Sequence, residues 1–421
     1  MFFVAIILLS VWIVFFLINK RHIKSGIVLF MFLLFMALPS LFEMHFLEVE
    51  IIDYIDYFNI LILALLLTGG FLPWLTFDKA LKNRYHFNIS PNGIPLLKFI
   101  FCILIIGSLF SIAYLLPYAI NSIAMGASAT RELITEKSVL PETPLTTLVV
   151  GFAGLNIYNI LAFYLSLLNN QLKKYRFWLF LSSFSYVVNS FAFSGRDGLI
   201  ILPTFYIIFF IIFKNSINKI LLQKVKRILC IIGSIVIIFL ASFTISRFWN
   251  ENKDKDTLYW GTLGYISQQP YVFDVTIRHQ NNFHGFELRF PLINRLMGIS
   301  KHEVVRTGGG FETKFGTMYA EFYSINGWKS MLLIAIIFVS YYSFSLSILK
   351  RIKNYFGLLL MFTVYLYIEI TGLFYCKAGS TVLINIFYLT LSIIPFFVKN
   401  IITYTPHYGN NSHSNLKIQR I

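Results

Sequence analysis

Charge is scarce in this chain. Of its 421 residues only 13% are Asp, Glu, Lys or Arg, and acids are the rarer sign, 19 against 35 Lys and Arg. Soluble globular chains carry about 25% charged residues, so there is too little polar surface here to cover a water-facing body. Cysteine is nearly missing as well. Cys102, Cys230 and Cys376 lie in or beside apolar runs; without disulfide or zinc spacing they read as small hydrophobes packed between helices. No phosphate-cradling Gly-x-x-x-x-Gly-Lys loop, no His-Glu-x-x-His and no Gly-x-Ser-x-Gly turn occurs, which removes the usual signatures of nucleotide, zinc and serine-hydrolase chemistry. Nor is there an internal repeat of the kind many transporters carry.

What fills the chain is apolar: 57% hydrophobic residues, with a mean hydropathy of +0.71. Disorder is excluded on that ground. A bilayer core needs roughly 17–25 apolar residues per helix. Runs that meet or approach this length are 1–18, 26–42, 58–76, 97–119, 147–168, 177–193, 199–213, 228–246, 330–348, 357–375 and 380–397. The expected fold is thus an all-α polytopic membrane protein of about 11 transmembrane helices. The first run has neither a basic leader nor a small-x-small cleavage site and reads as a retained helix.

Lys and Arg sort the loops by side. The segments after runs 1, 3, 5, 7 and 9, with the tail, hold 21 Lys and Arg against one acid, Asp78, while 17 acids lie in the alternate segments. This bias predicts an amino terminus outside and a carboxyl terminus inside, the periplasmic and cytoplasmic sides if the membrane is a bacterial inner one. It also accounts for the net charge of +16 without any nucleic acid partner. Residues 247–329 form one large outer loop, too aromatic to be disordered. The polar tail 400–421 is expected to be flexible. The whole is expected to be a single transmembrane domain.

Four constellations can carry chemistry. The turn Ser194-Gly195-Arg196-Asp197-Gly198 follows a polar stripe of Ser182, Ser185 and Asn189 on one helical face. That pattern is either a cavity opening outward or interhelical glue, with Arg196 paired to Asp197. The outer loop concentrates Arg278, His279, His284, Arg289, Arg295, Lys301, His302 and Arg306 against Glu287 and Glu303. Guanidinium forks match phosphate oxygens and stay charged at any pH, although lipid headgroups attract such runs too. Third comes the stretch from Gly308-Gly309-Gly310 through Glu321 to Asn326-Gly327, which reads as a glycine-rich approach and a short interfacial or re-entrant helix anchored by Tyr and Trp328. Fourth, Glu369 is the one carboxylate inside an apolar run. It is a general base, a proton-coupling group or a partner for Lys377. The acidic pairs Asp254/Asp256 and Glu48/Glu50 are weak metal candidates.

In this order these constellations resemble the Wzy-type polymerases of bacterial O-antigen. The likeness lies in Phe193–Ile200 (FSGRDGLI), His284–Leu296 (HGFELRFPLINRL) and Gly308–Leu333. An Arg-x10-Gly pattern described for some members has its spacing at Arg278/Arg289 and Arg295/Arg306, with arginine where glycine would stand. The resemblance implies a GT-C-like helical fold in the bacterial inner membrane. It also implies undecaprenyl-pyrophosphate-linked oligosaccharides as substrates, no metal, no cofactor, and a chain-length regulator as partner in the same membrane. On that reading Arg196, Arg278, Arg289 and Arg306 serve the pyrophosphate, and His279, Glu321 and Glu369 are candidate bases. A flippase of lipid-linked oligosaccharide and an O-antigen ligase are the alternatives.

Overall fold

The computed structural model describes residues 2–37, 56–81, 85–125, 140–141, 143–193, 195, 197–248, 269–270, 272–277, 317–372, 392–398 and 401–406. Helices dominate. They are α1 (Phe2–Asn19), α2 (Ile27–Ala37), α3 (Tyr57–Gly70), α4 (Leu72–Ala80), α5 (Gly93–Met125), α6 (Pro144–Gly154), α7 (Asn156–Leu167), α8 (Arg176–Ser182), α9 (Ser185–Ala192), α10 (Asp197–Phe213), α11 (Lys219–Phe248), α12 (Thr317–Arg351) and α13 (Tyr355–Gly372). Among the described residues, four helices are long and apolar enough to cross a membrane: Tyr57–Ala80, Gly93–Met125, Phe322–Arg351 and Tyr355–Gly372. The pair α6 and α7, bent by 44°, makes a fifth if it is one span. The run 380–397 meets the described residues only at its end.

Burial on α5 shows how the sequence builds such a helix. Leu97, Phe101, Leu104, Gly107, Ser108, Ser111 and Leu115 face neighbours, while Phe99, Ile103, Ile106 and Phe110 are exposed. Large apolar side chains on the outer face suit a hydrocarbon solvent and would be a liability in water. The inner face uses small residues, which let helices approach closely without the hydrophobic effect to drive them together. At Gly107 a Cβ would lie 2.2 Å from the Phe152 ring of α6. Ser111 Oγ donates to Val149 O across the same contact, at 2.8 Å.

Several spans are broken, each for a local reason. Pro73 follows the α3–α4 junction and cannot donate to the carbonyl four residues back, so the helix kinks there. In α12 the break is at Asn326 and Gly327. Gly327 has φ 65°, a conformation glycine tolerates without strain. Ser330 Oγ staples the break, accepting from Asn326 N–H at 3.0 Å and donating to Phe322 O at 2.7 Å.

Two short strands accompany the helices. β1 (Tyr85–Ile89) pairs antiparallel with β2 (Ile402–Pro406), from Tyr85 opposite Pro406 to Ile89 opposite Ile402. Residues Ile402–Pro406, at the start of the tail expected to be flexible, pair as a strand, and the tail beyond them lies outside the described residues. Backbone pairing satisfies the donors and acceptors that a free polar tail would leave to water. Phe87 N–H also donates to Ser216 Oγ at 3.0 Å, and Ser90 N–H to Ile401 O at 2.9 Å. The segments after runs 3 and 7 and the tail, all assigned by charge to one side, thus meet at one end of the bundle.

Asp78, the lone acid of the basic segments, closes that end. Its Oδ2 accepts from the backbone N–H groups of Lys24 (2.8 Å) and Gly26 (3.1 Å), and its Oδ1 from Ser25 N–H (3.3 Å) and Ser25 Oγ (2.6 Å). These donors form the N-terminal approach to α2, where an anion is favoured. Trp74 Nε1 donates to Ser25 Oγ at 2.8 Å, and Lys24 Nζ to Leu81 O at 2.6 Å. Burial lowers the pKa of the Lys24 ammonium, and the Asp78 carboxylate pulls it back up.

Candidate functional site

α13 is buried on nearly every side, and near its end away from the β1–β2 sheet stands Glu369, fully buried. Among the described residues neither carboxylate oxygen has a hydrogen-bond partner. The wall opposite is the backbone of α3. A Cβ on Gly70 would lie 2.8 Å from Glu369 Oε1 and 3.0 Å from Tyr319 Oη, so a larger residue there would have to push these groups aside. Tyr319, on the first segment of α12, donates its hydroxyl to Leu66 O at 2.7 Å. Tyr365, one turn before Glu369 on the same face, donates to Gly70 O at 2.5 Å. Met318 closes the end against Gly372.

The segment expected at the interface therefore enters the bundle. Tyr319 is 1% exposed, far from the half-wet position of an interfacial anchor. Its ring reaches inward because Gly70 leaves room and Leu66 offers an acceptor.

A piece of the large loop is fixed above this site. Residues Val272–Ile277 form one π-helical turn. Asp274 accepts from Asp56 N–H at 2.7 Å and from Asn59 Nδ2 at 3.3 Å, which ties the loop to the start of α3. Phe273 packs edge-on against Tyr323 and Trp328, which also contact one another at 5.6 Å. These three rings join the loop to the α12 break.

The turn before α10 has its own network. Asp197 accepts from Tyr186 Oη at 2.5 Å and from Ser190 Oγ at 2.5 Å, and Gly195 N–H donates to Ser190 O at 2.7 Å. Of the stripe beneath it, Ser182 and Ser185 are fully buried. Their hydroxyls donate to Leu179 O and Ala153 O. Ser185 thus acts as interhelical glue to α6, whereas Ser182 bonds within its own helix, and the helix is interrupted between them at Ser183–Phe184.

Of the candidate bases and pyrophosphate-binding residues, only Glu369 is fully described. Glu321 lies on the first segment of α12, two residues after Tyr319. Arg196, Arg278, His279, Arg289, Arg306 and Lys377 lie outside the described residues. Sequence reasoning gave Tyr319 only an anchoring role and missed Gly70, Tyr365, Tyr186 and Asp274. The four-residue spacing of Tyr365 and Glu369 was a readable signal; nothing local marked the others.

Comparison with known proteins gives no relative: no family model, no curated protein and no solved structure matches the chain. What the site does must be argued from its chemistry. A buried carboxylate within a helical bundle can take a proton from a hydroxyl, hold a cation, or pair with a basic group.

Proposed function

We propose that the chain is a Wzy-type polymerase of lipid-linked oligosaccharide repeat units, working at the periplasmic face of a bacterial inner membrane. The observation that carries the reading is Glu369. It is a buried acid with no hydrogen-bond partner among the described residues, within a helical bundle and near the segment that starts α12. In the reaction, the bond from the sugar's anomeric carbon to undecaprenyl pyrophosphate breaks. A bond from that carbon to a hydroxyl of the incoming repeat unit forms, and the hydroxyl proton passes to a base. Arg196, Arg289 and Arg306, with Arg278 in reserve, meet the charge gathering on the departing pyrophosphate. Holding two lipid-anchored substrates side by side supplies proximity. His279, Glu321 and Glu369 are the candidate bases. About 11 spans and a GT-C-like arrangement belong to this reading, as does a chain-length regulator as partner.

Purified protein given a defined undecaprenyl-pyrophosphate repeat unit is expected to build a ladder of longer products, with the same yield in EDTA. No elongation would end the polymerase reading. Loss in EDTA with rescue by magnesium or manganese would move it to a metal-dependent glycosyltransferase. A second reading, a flippase of the same lipid-linked oligosaccharide, draws on the same buried acid, since intramembrane carboxylates often carry protons in transporters. Deletion strains separate the readings: core with a single repeat for a lost polymerase, bare core for a lost ligase, no exported repeat for a lost flippase.

Orientation is tested separately. A phosphatase fused near residue 265 is expected to be active, and fluorescent fusions near 222 and 353 to light up in the cytoplasm. An active phosphatase at 222 would invert the map.

A further inference from the structure

The Glu369 carboxylate and the Tyr319 hydroxyl face the same small space beside Gly70. Oε1, Tyr319 Oη and Oε2 lie 2.8, 3.0 and 3.2 Å from the one point that a Cβ on Gly70 would occupy. Neither neighbouring hydroxyl can offer it a proton: Tyr319 has given its own to Leu66 O, and Tyr365 to Gly70 O. Both tyrosines still interact electrostatically with Glu369 and have only lone pairs left to present. The nearby side chain of Met318, against Gly372, is uncharged. Among the described residues, no donor reaches either carboxylate oxygen. A full negative charge in such a place, away from water and without a donor, is strongly unfavourable until something positive joins it.

We infer that the space between Glu369, Tyr319 and the α3 backbone at Leu66–Gly70 is a site for a monovalent cation, a proton or an alkali metal ion. Its lining offers oxygen, the donor type hard cations prefer. A single carboxylate brings one charge, which matches a monovalent ion and falls short of what divalent sites use. The ionisable groups facing it among the described residues are Tyr319 from α12 and Tyr365 from α13 itself. α3 contributes Gly70, with no ionisable group. Tyr158 of α7 couples to Tyr342 and Tyr367 instead. Asp78 of α4 is engaged with Lys24, Ser25 and Gly26.

The test reads binding alone, so it can succeed or fail whatever becomes of the polymerase reading. Full-length protein in detergent is melted in sodium chloride and in choline chloride of equal ionic strength, from pH 5 to pH 8. For an alkali ion, the melting temperature at pH 8 is expected to rise by about 2–4 °C as sodium saturates the site, with the effect fading at pH 5 where protons compete. For a proton, the melting temperature follows pH and ignores sodium. In either case Glu369→Gln, which keeps the shape and removes the charge, is expected to melt without that dependence. Tyr319→Phe keeps the ring and drops one oxygen, and is expected to raise the sodium midpoint roughly tenfold. A wild-type protein indifferent to both ions, or a Glu369→Gln variant that responds as the wild type does, overturns the inference. So does a Lys377→Met variant that lowers melting as Glu369→Gln does, with no further loss in the double variant, because the positive charge would then be the chain's own.

Discussion

Arg196→Ala is expected to reach the membrane at normal levels and make no long-chain glycan. The folding half of this expectation comes from the turn on either side. Both Asp197 oxygens already accept hydroxyls, from Tyr186 and Ser190, and Gly195 N–H closes on Ser190 O. A further surface pair between Arg196 and Asp197 would add about 0–1 kcal/mol, too little for its loss to unfold the turn. The functional half comes from the charge on a departing pyrophosphate. Removing a fixed donor aimed at developing charge costs on the order of 3–4 kcal/mol, or about 10²–10³ in rate. Lysine keeps the charge and loses the planar fork, so Arg196→Lys is expected to give sparse or shortened chains. The lipid-linked repeat accumulates in both variants, because its synthesis and flipping come first. Glycan ladders on gels, read at matched expression, decide the matter. Wild-type ladders from Arg196→Ala would return this arginine to a surface turn.

Asp78→Ala is expected to strike stability instead. Four hydrogen bonds converge on this carboxylate, three of them from backbone N–H groups that have only its oxygens to accept them at the entry to α2. Each buried donor left unsatisfied costs about 1–3 kcal/mol, and because the losses overlap the total is on the order of 3–5 kcal/mol. Ser25 Oγ would also lose its acceptor while still receiving Trp74 Nε1. Asp78→Asn keeps the shape and one acceptor oxygen, but turns an amide toward N–H donors, and is expected to fall between the two. Melting of the purified variants and their membrane levels measure this. An unchanged melting temperature for Asp78→Ala would show that the α1–α2 turn holds without its carboxylate.

Both predictions concern residues that a linear reading can find but not surround. Run length alone told where the helices lie. Ten of the eleven apolar runs fall on described helices, because a stretch of side chains without polar groups satisfies its backbone best by coiling on itself. Some segments grouped by their Lys and Arg also come together, as β1, β2 and Ser216 do. The lone intramembrane acid, Glu369, stood out for the same one-dimensional reason.

Its surroundings were decided only by tertiary structure. Tyr319 reaches Leu66 across 253 residues of sequence, Tyr365 reaches Gly70 across 295, and Asp56 meets Asp274 across 218. No local pattern specifies such partners. They follow from which helices pack together and from small residues, such as Gly70, that let them approach. The strand 402–406 is a further case: its Ile-Thr-Tyr-Thr run suits a strand, but a strand forms there only because 85–89 lies within hydrogen-bonding reach. A run of apolar residues determines a helix from within, whereas a site or a strand pair exists only when distant segments supply each other's missing groups.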